Sequence, residues 1–343
     1  MEGDTQLPGR RILSIDGGGI LGAFPAAFLA ALEQHLAKPI GSYFDLIAGT
    51  STGGIIAIGL AMGLSAAELL SLYERRGPEI FGQGRGPILN FISGAVRLGR
   101  WIVANKHDSS ALQCVLEDVL GEKRIGDAKT RLLIPAWNPV VRSVYIYKTA
   151  HHPRLKHDYK ALAVDAALAT AAAPTYFRQH VTQHAVGLTD GGTWANNPIA
   201  LAVVEAITLL GWPRDSLHVL SLGCLEETYT IRKWAGLSTL GQKVINLFMD
   251  GQSHGALGIA KLLTGDGHER TAIYRVNQTV PQSTYRMDDP TVIQDLKGLG
   301  YTLARSRQPE LEPVFFRTPA KPFVPFYTLE ENSSVAEKET ASA

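Results

Sequence analysis

Residues 44–63 read FDLIAGTSTGGIIAIGLAMG. The first six form an apolar run suited to a buried strand, and the last twelve, dense in Gly, Ala and Ile, suit a helix packed close behind it. Between them, Gly49-x-Ser51-x-Gly53 occupies the turn. Glycines on either side of a serine at a strand-to-helix turn permit a sharp, strained bend that lifts the hydroxyl above the carboxyl edge of a sheet, and the helix start adds positive dipole to the same spot. Ser51 is therefore the candidate nucleophile, against the plainer alternative of a glycine-rich turn kept for close packing.

The same strand-then-helix pattern runs through the rest of the chain. RILSI (11–15) leads into a glycine loop, after which Phe24, Phe28, Leu32 and Leu36 recur every four residues as the stripe of a helix lying on a sheet. Further strands are expected at 131–137, 143–149, 217–223 and 271–277, and helices at 65–75, 109–120, 161–172, 198–210 and 238–263. Strands alternating with helices predict an α/β chain: a mostly parallel central sheet covered on both faces, a three-layer α/β/α arrangement.

Composition narrows the function. With 343 residues, 45% hydrophobic and 19% charged, the chain can build a large core, and its net charge of +1 gives no global attraction to a nucleic acid polymer. Two cysteines, Cys114 and Cys224, make no disulfide framework and suit a reducing compartment. The opening MEGDTQLPGRR lacks the apolar core of a signal peptide, and no apolar run approaches the ~18 residues of a membrane span, so a cytoplasmic protein is expected.

The loop SIDGGGILG (14–22) admits two readings. Gly17, Gly19 and Gly22 fit G-x-G-x-x-G, which between a strand and a helix suggests a nicotinamide dinucleotide and an oxidoreductase. Bare backbone amides at a helix start equally receive the oxyanion of an acyl-transfer transition state. The dinucleotide site wants an acidic residue closing the second strand, whereas Asp45 opens it. In a parallel sheet both loops lie at the carboxyl ends of their strands, so the glycines flank Ser51, and the oxyanion-hole reading is preferred.

A serine also needs a base. In LTDGGTWANNP (188–198), Asp190 follows an apolar run and precedes two glycines; Asn196 and Asn197 read as turn and helix-cap residues. In the order Ser…Asp…His, His218, His254 or His268 would complete a triad. The residues alone leave dyad and triad open.

SIDGGGILG, AGTSTGG (48–54), ATAAAPTYF (169–177) and TDGGTWANNP, in this order, resemble the patatin-like phospholipase family over roughly residues 10–225. The resemblance implies a Ser51–Asp190 dyad without histidine and an oxyanion hole made by the glycines after Asp16 (Gly17, Gly18 and Gly19), its donors chiefly the Gly18 and Gly19 amides. It also implies membrane phospholipids as substrate and neither metal nor organic cofactor. One departure is Leu21, where family members often carry Lys or Arg. The domain expected is a single one over 10–315, with an extension at 226–315 and a disordered tail at 330–343. A catalytically inactive binding module is the alternative from another class, and the presence of both Ser51 and Asp190 argues against it.

Two further stretches bear on control. From Glu79 to Asp108 no acidic residue intervenes, and Arg85, Arg97, Arg100 and Lys106 interleave with apolar residues, so 80–106 reads as a lid or a membrane-contact segment. The extension resembles patatin-like effectors of bacterial antiphage systems of the CBASS type, which implies a cyclic dinucleotide or trinucleotide activator. Arg232, Lys233, Trp234, Lys243, Tyr274 and Arg275 are residue types suited to one. Homo-oligomerisation is a further expectation.

Overall fold

The computed structural model describes residues 9–82, 109–228, 243–281 and 284–330. In chain order these form β1 (Arg10–Ile15), α1 (Ala23–Glu33), β2 (Leu46–Gly49), α2 (Thr52–Ala61), α3 (Ala66–Gly82), α4 (Ser109–Leu120), β3 (Arg131–Asn138), β4 (Ser143–Lys148) and α5 (Ala163–Ala171). There follow β5 (His180–Val181), β6 (Gly187–Asp190), a short α6 (Gly192–Ala195), α7 (Ile199–Val204), β7 (Leu217–Leu222), β8 (Glu226–Thr228), α8 (Lys243–Thr264), β9 (Ile273–Val276), β10 (Thr279–Pro281) and α9 (Ile293–Leu311). The segment 83–108, Arg232, Lys233, Trp234 and the tail from 331 lie outside the described residues.

Eight strands form one sheet among the described residues, in the order β5-β6-β3-β2-β1-β7-β9, with β4 also paired to β3. The pairs β1–β2, β1–β7, β2–β3 and β7–β9 are parallel. Alternate residues of these strands feed two separate apolar clusters. Leu13, Ile15, Ile47, Ile134 and Leu220 pack with α1, α2 and α5 on one face. Ile12, Leu46, Leu133 and Val219 pack with α7 and α8 on the other. That is the period of two expected of strands buried on both sides, and it yields the three-layer α/β/α architecture.

The register places the site. Ile15 pairs with Gly49 of β2 and with Leu222 of β7, so the loops after β1 and β2 leave the sheet side by side. One edge of β3 is filled by β4 along Leu133–Asn138. The antiparallel β6, bridging at Ala136 and Trp137, therefore takes the edge that β2 takes further back at Arg131–Leu133. Asp190, the last residue of β6, thus arrives just beyond the end of β2, where the chain turns at Ser51. Two distant sequence motifs meet because one short strand extends the line of another.

Candidate active site

The turn after β2 carries the strain its sequence foretold. Ser51 has φ 54° and ψ −124°, an unfavourable backbone for a residue with a side chain, and such strain persists only where the surroundings enforce it. The enforcing contacts are identifiable. The Ser51 amide donates to Thr170 Oγ1 at 3.0 Å, and the Thr170 hydroxyl donates to the Pro135 carbonyl at 2.6 Å. Thr50 Oγ1 donates to the Ala195 carbonyl at 2.6 Å. Behind the turn, a Cβ on Gly53 would lie 2.4 Å from the Ile15 carbonyl oxygen, so α2 can start this close to β1 only with glycine there.

Asp190 is held by the same helix. Its amide donates to the Ala172 carbonyl at 3.0 Å, so α5 and the residues after it fix both partners, Thr170 the serine and Ala172 the aspartate. ATAAAP is thus more than a stretch of small packing residues, and the Thr170 hydroxyl is a contribution that the sequence reading missed. The Asp190 carboxyl is 4% exposed. Burial pushes its pKa from 3.8 up to about 6, opposed by the nearby Ser51 hydroxyl and by the Gly192 amide, which donates to Oδ1 at 2.6 Å. The result is a carboxylate of raised basicity, ionised at neutral pH and in contact with the candidate nucleophile.

The glycine loop faces this pair. The Gly17 amide is already committed to the Asn196 carbonyl at 3.0 Å, so Gly17 shapes the loop without offering a free donor. Among the described residues, neither the Gly18 nor the Gly19 amide meets an acceptor, and both residues line the cavity that holds Ser51 and Asp190. Gly19 sits at φ +59°, and a Cβ there would come within 2.5 Å of the Met287 carbonyl oxygen. Asn196 clamps Gly17 from both sides, since its Nδ2 also donates to the Gly17 carbonyl at 3.4 Å. Asn197 behaves as a cap, its Oδ1 accepting from the Ile199 amide at 3.1 Å.

The cavity has a volume of about 440 Å³ and an apolar wall that includes Tyr73, Ile80, Leu116, Tyr176 and Phe177. Phe177 meets Phe81 edge to face at 6.2 Å. No described histidine lines this cavity. His218 lies at the start of β7, at the opposite end of the strands from Ser51, beside Arg270. His254 is exposed and paired with Glu226 at 3.0 Å, and His268 is exposed in the turn after α8. The triad alternative thus gains no partner here. The dinucleotide reading fares no better: β2 ends in Ala48-Gly49 without an acid, and Asp45 at its far end is occupied by Arg10 at 3.1 Å and the Arg11 amide at 2.9 Å.

A family model of patatin-like phospholipases matches residues 13–203. The chain belongs to the patatin-like phospholipase family. It is 41% identical over 234 residues, 68% of either chain, to a cGAMP-activated phospholipase of Pseudomonas aeruginosa. It is 32% identical to one of Escherichia coli, across 92% of this chain and 95% of the relative. A third, from Vibrio cholerae, is 30% identical across 91% and 96%. This patatin-like phospholipase is accordingly an enzyme of the lipid-ester hydrolase class. Of the residues offered for an activator, Tyr274 and Arg275 face inward: Tyr274 meets the Phe315 ring at 5.2 Å, and Arg275 is bonded to Asp16. In this structure both side chains serve the framework.

Proposed function

We propose that the protein cleaves acyl esters of membrane phospholipids through an acyl-enzyme on Ser51, with Asp190 as the base. The observation that carries the reading is a strained serine sharing an apolar cavity with a buried, raised-pKa carboxyl, beside two glycine amides that meet no acceptor among the described residues. Ser51 Oγ attacks the ester carbonyl carbon as its proton passes to Asp190. The developing oxyanion lies against the Gly18 and Gly19 amides. Collapse breaks the C–O bond to the leaving alcohol, which takes the proton back from Asp190. A water then gives its proton to Asp190 and attacks the acyl-serine; the acyl C–Oγ bond breaks, Asp190 returns the proton to Ser51 Oγ, and the fatty acid leaves.

An acyl chain filling the cavity excludes water and keeps the carboxylate poorly solvated, which sustains its basicity without a histidine. The lipid is met at the same sheet edge. There the β3–β4 hairpin tip presents Val140 and Val141, 79% and 66% exposed, beside Arg142, a combination suited to an anionic bilayer surface. Among the described residues no helix is long and apolar enough to cross a membrane, so action from the surface is the mode inferred.

A cyclic oligonucleotide, cGAMP first among the candidates, is proposed to switch the enzyme on, in keeping with three relatives named for that activation. The biological role inferred is that of an antiphage effector that degrades the host membrane. Such a ligand acts only by binding the active form better than the resting one. The test is fatty-acid release from phosphatidylglycerol-containing vesicles with and without cGAMP and a panel of other cyclic di- and trinucleotides, alongside Ser51→Ala. Release that needs both Ser51 and a cyclic nucleotide supports the reading. Full release by the apo-protein would leave a constitutive acyl hydrolase, and tight NAD binding without hydrolysis would revive the oxidoreductase.

A further inference from the structure

The family model ends at residue 203, yet the glycine loop is gripped by residues beyond it. Asp16, the residue between β1 and Gly17, is 4% exposed and has both carboxylate oxygens taken by one guanidinium from β9. Arg275 Nη1 donates to Oδ1 at 3.1 Å and Nη2 to Oδ2 at 2.6 Å. Nη1 also donates to Ser221 Oγ on β7 at 2.8 Å, which fixes the plane of the fork. The main chain of Asp16 is tied at both ends, its amide to the Leu222 carbonyl at 2.9 Å and its carbonyl to the Cys224 thiol at 3.3 Å. On the far side of the loop, the Ile20 amide donates to the Met287 carbonyl at 2.9 Å.

We propose that Arg275 is a positioning residue for the reaction, holding the glycine loop through Asp16 so that the Gly18 and Gly19 amides stay aimed at the oxyanion. The proposal rests on reading that loop as the oxyanion hole. Taking a carboxylate and a guanidinium out of water is costly, and a well-packed apolar pair serves cohesion at least as well. What the ion pair adds is direction: a planar, bidentate fork fixes the orientation of the group it grips. That direction matters here because the Asp16 carbonyl abuts the start of α2, where a Cβ on Gly53 would come within 2.6 Å of it. A shift of Asp16 therefore moves the loop amides relative to Ser51. The strand carrying Arg275 is the outermost of the parallel run, so a residue at the far side of the sheet from Asp190 holds the start of the glycine loop.

The experiment uses a fluorophosphonate, with cGAMP present throughout, which reports oxyanion stabilisation independently of vesicles. Ser51 Oγ forms a bond to phosphorus, the P–F bond breaks, fluoride departs and the serine proton passes to Asp190, while charge gathers on the phosphoryl oxygen. Intact-mass analysis gives the labelling rate. Arg275→Ala is expected to label about a hundredfold more slowly, the size of loss that follows removal of one oxyanion donor. Arg275→Lys, which keeps charge without the fork, should label about tenfold more slowly and Ser221→Ala a few-fold more slowly. Added guanidinium ion should restore Arg275→Ala and leave Ser51→Ala inert. On a soluble short-chain ester, kcat should fall with KM unchanged, because the loop acts on the transition state.

A folded Arg275→Ala or Arg275→Lys that labels at the wild-type rate overturns the proposal, as does a loss that appears in KM alone. Should Arg275→Ala fail to fold, Arg275→Lys and Ser221→Ala decide on the same criteria. Wild-type protein that is not labelled at Ser51 overturns the dyad reading itself, a result distinct from labelled wild type with unaffected Arg275 variants.

Discussion

Replacing Asp190 by Asn should inactivate the enzyme and make it more stable. The carboxyl is buried, and burial lifts its pKa from 3.8 to about 6. Each unit of displacement is about 1.4 kcal/mol, so the ionised group costs the fold up to roughly 3 kcal/mol at neutral pH. The sign follows from proton uptake. Between the two pKa values the native state holds more protons than the unfolded chain, so native stability declines as pH rises from about 4 to about 6 and stays lowered above that. Asn carries no charge to desolvate, and its Oδ1 still accepts the Gly192 amide that Asp190 accepts at 2.6 Å. The variant should therefore match wild type near pH 4 and melt several degrees higher at pH 8, at about 2 °C per kcal/mol for a large domain. Turnover should fall by about two to four orders of magnitude with the loss of the base. Thermal melts at both pH values, and hydrolysis of a soluble ester with cGAMP present, measure the two effects. A variant that turns over within tenfold of wild type, or a melting gap that does not widen with pH, would refute the reasoning.

On the same soluble ester, the pH profile of kcat/KM should rise through a single ionisation near the Asp190 value of about 6 and stay level to pH 8; a rise centred near pH 4 would show the carboxyl is not the raised-pKa base. Gly19→Ala should lose turnover by about a hundredfold or more, because the residue sits at φ +59° with the Met287 carbonyl 2.5 Å from any Cβ; turnover near wild type would show that the loop does not face the oxyanion. His218→Ala, His254→Ala and His268→Ala should each retain turnover, since none lines the cavity with Ser51; a folded variant as inactive as Ser51→Ala would establish a triad.

The local parts of this architecture were readable because they rest on local physics. The strand expected at 217–223 occupies 217–222 and that at 131–137 occupies 131–138, each an apolar run bounded by turn residues. Helix α9 (293–311) is not among the expected helices, and it contains Gly298, Gly300 and Pro309, residue types that weaken a helical pattern. In the fold Gly300 does the opposite: a Cβ there would lie 2.7 Å from the Phe24 carbonyl, so glycine is what lets α9 cross α1 so closely. The strand carrying Asp190 is four residues long and pairs antiparallel at the end of a parallel sheet, too short for periodicity to declare. The same limit applies to partners far apart in the chain. Arg275 looked like an available cation, and only the pairing of β7 with β9 reveals that it is spent on a carboxylate 259 positions away. Leu21, conspicuous as a departure from the family pattern, packs in an apolar cluster with Phe24, Ile293 and Leu296 under that unforeseen helix.

The central claim is that the acyl group passes through Ser51. The measurement that meets it most directly is acid-quenched turnover of phospholipid vesicles in the presence of cGAMP, followed by proteolysis and mass analysis of the peptide containing Ser51. The account predicts a fatty-acyl adduct on Ser51 that precedes fatty-acid release, with adduct and release both abolished in Ser51→Ala. Undiminished fatty-acid release by Ser51→Ala, or an acyl adduct on another residue, would contradict it.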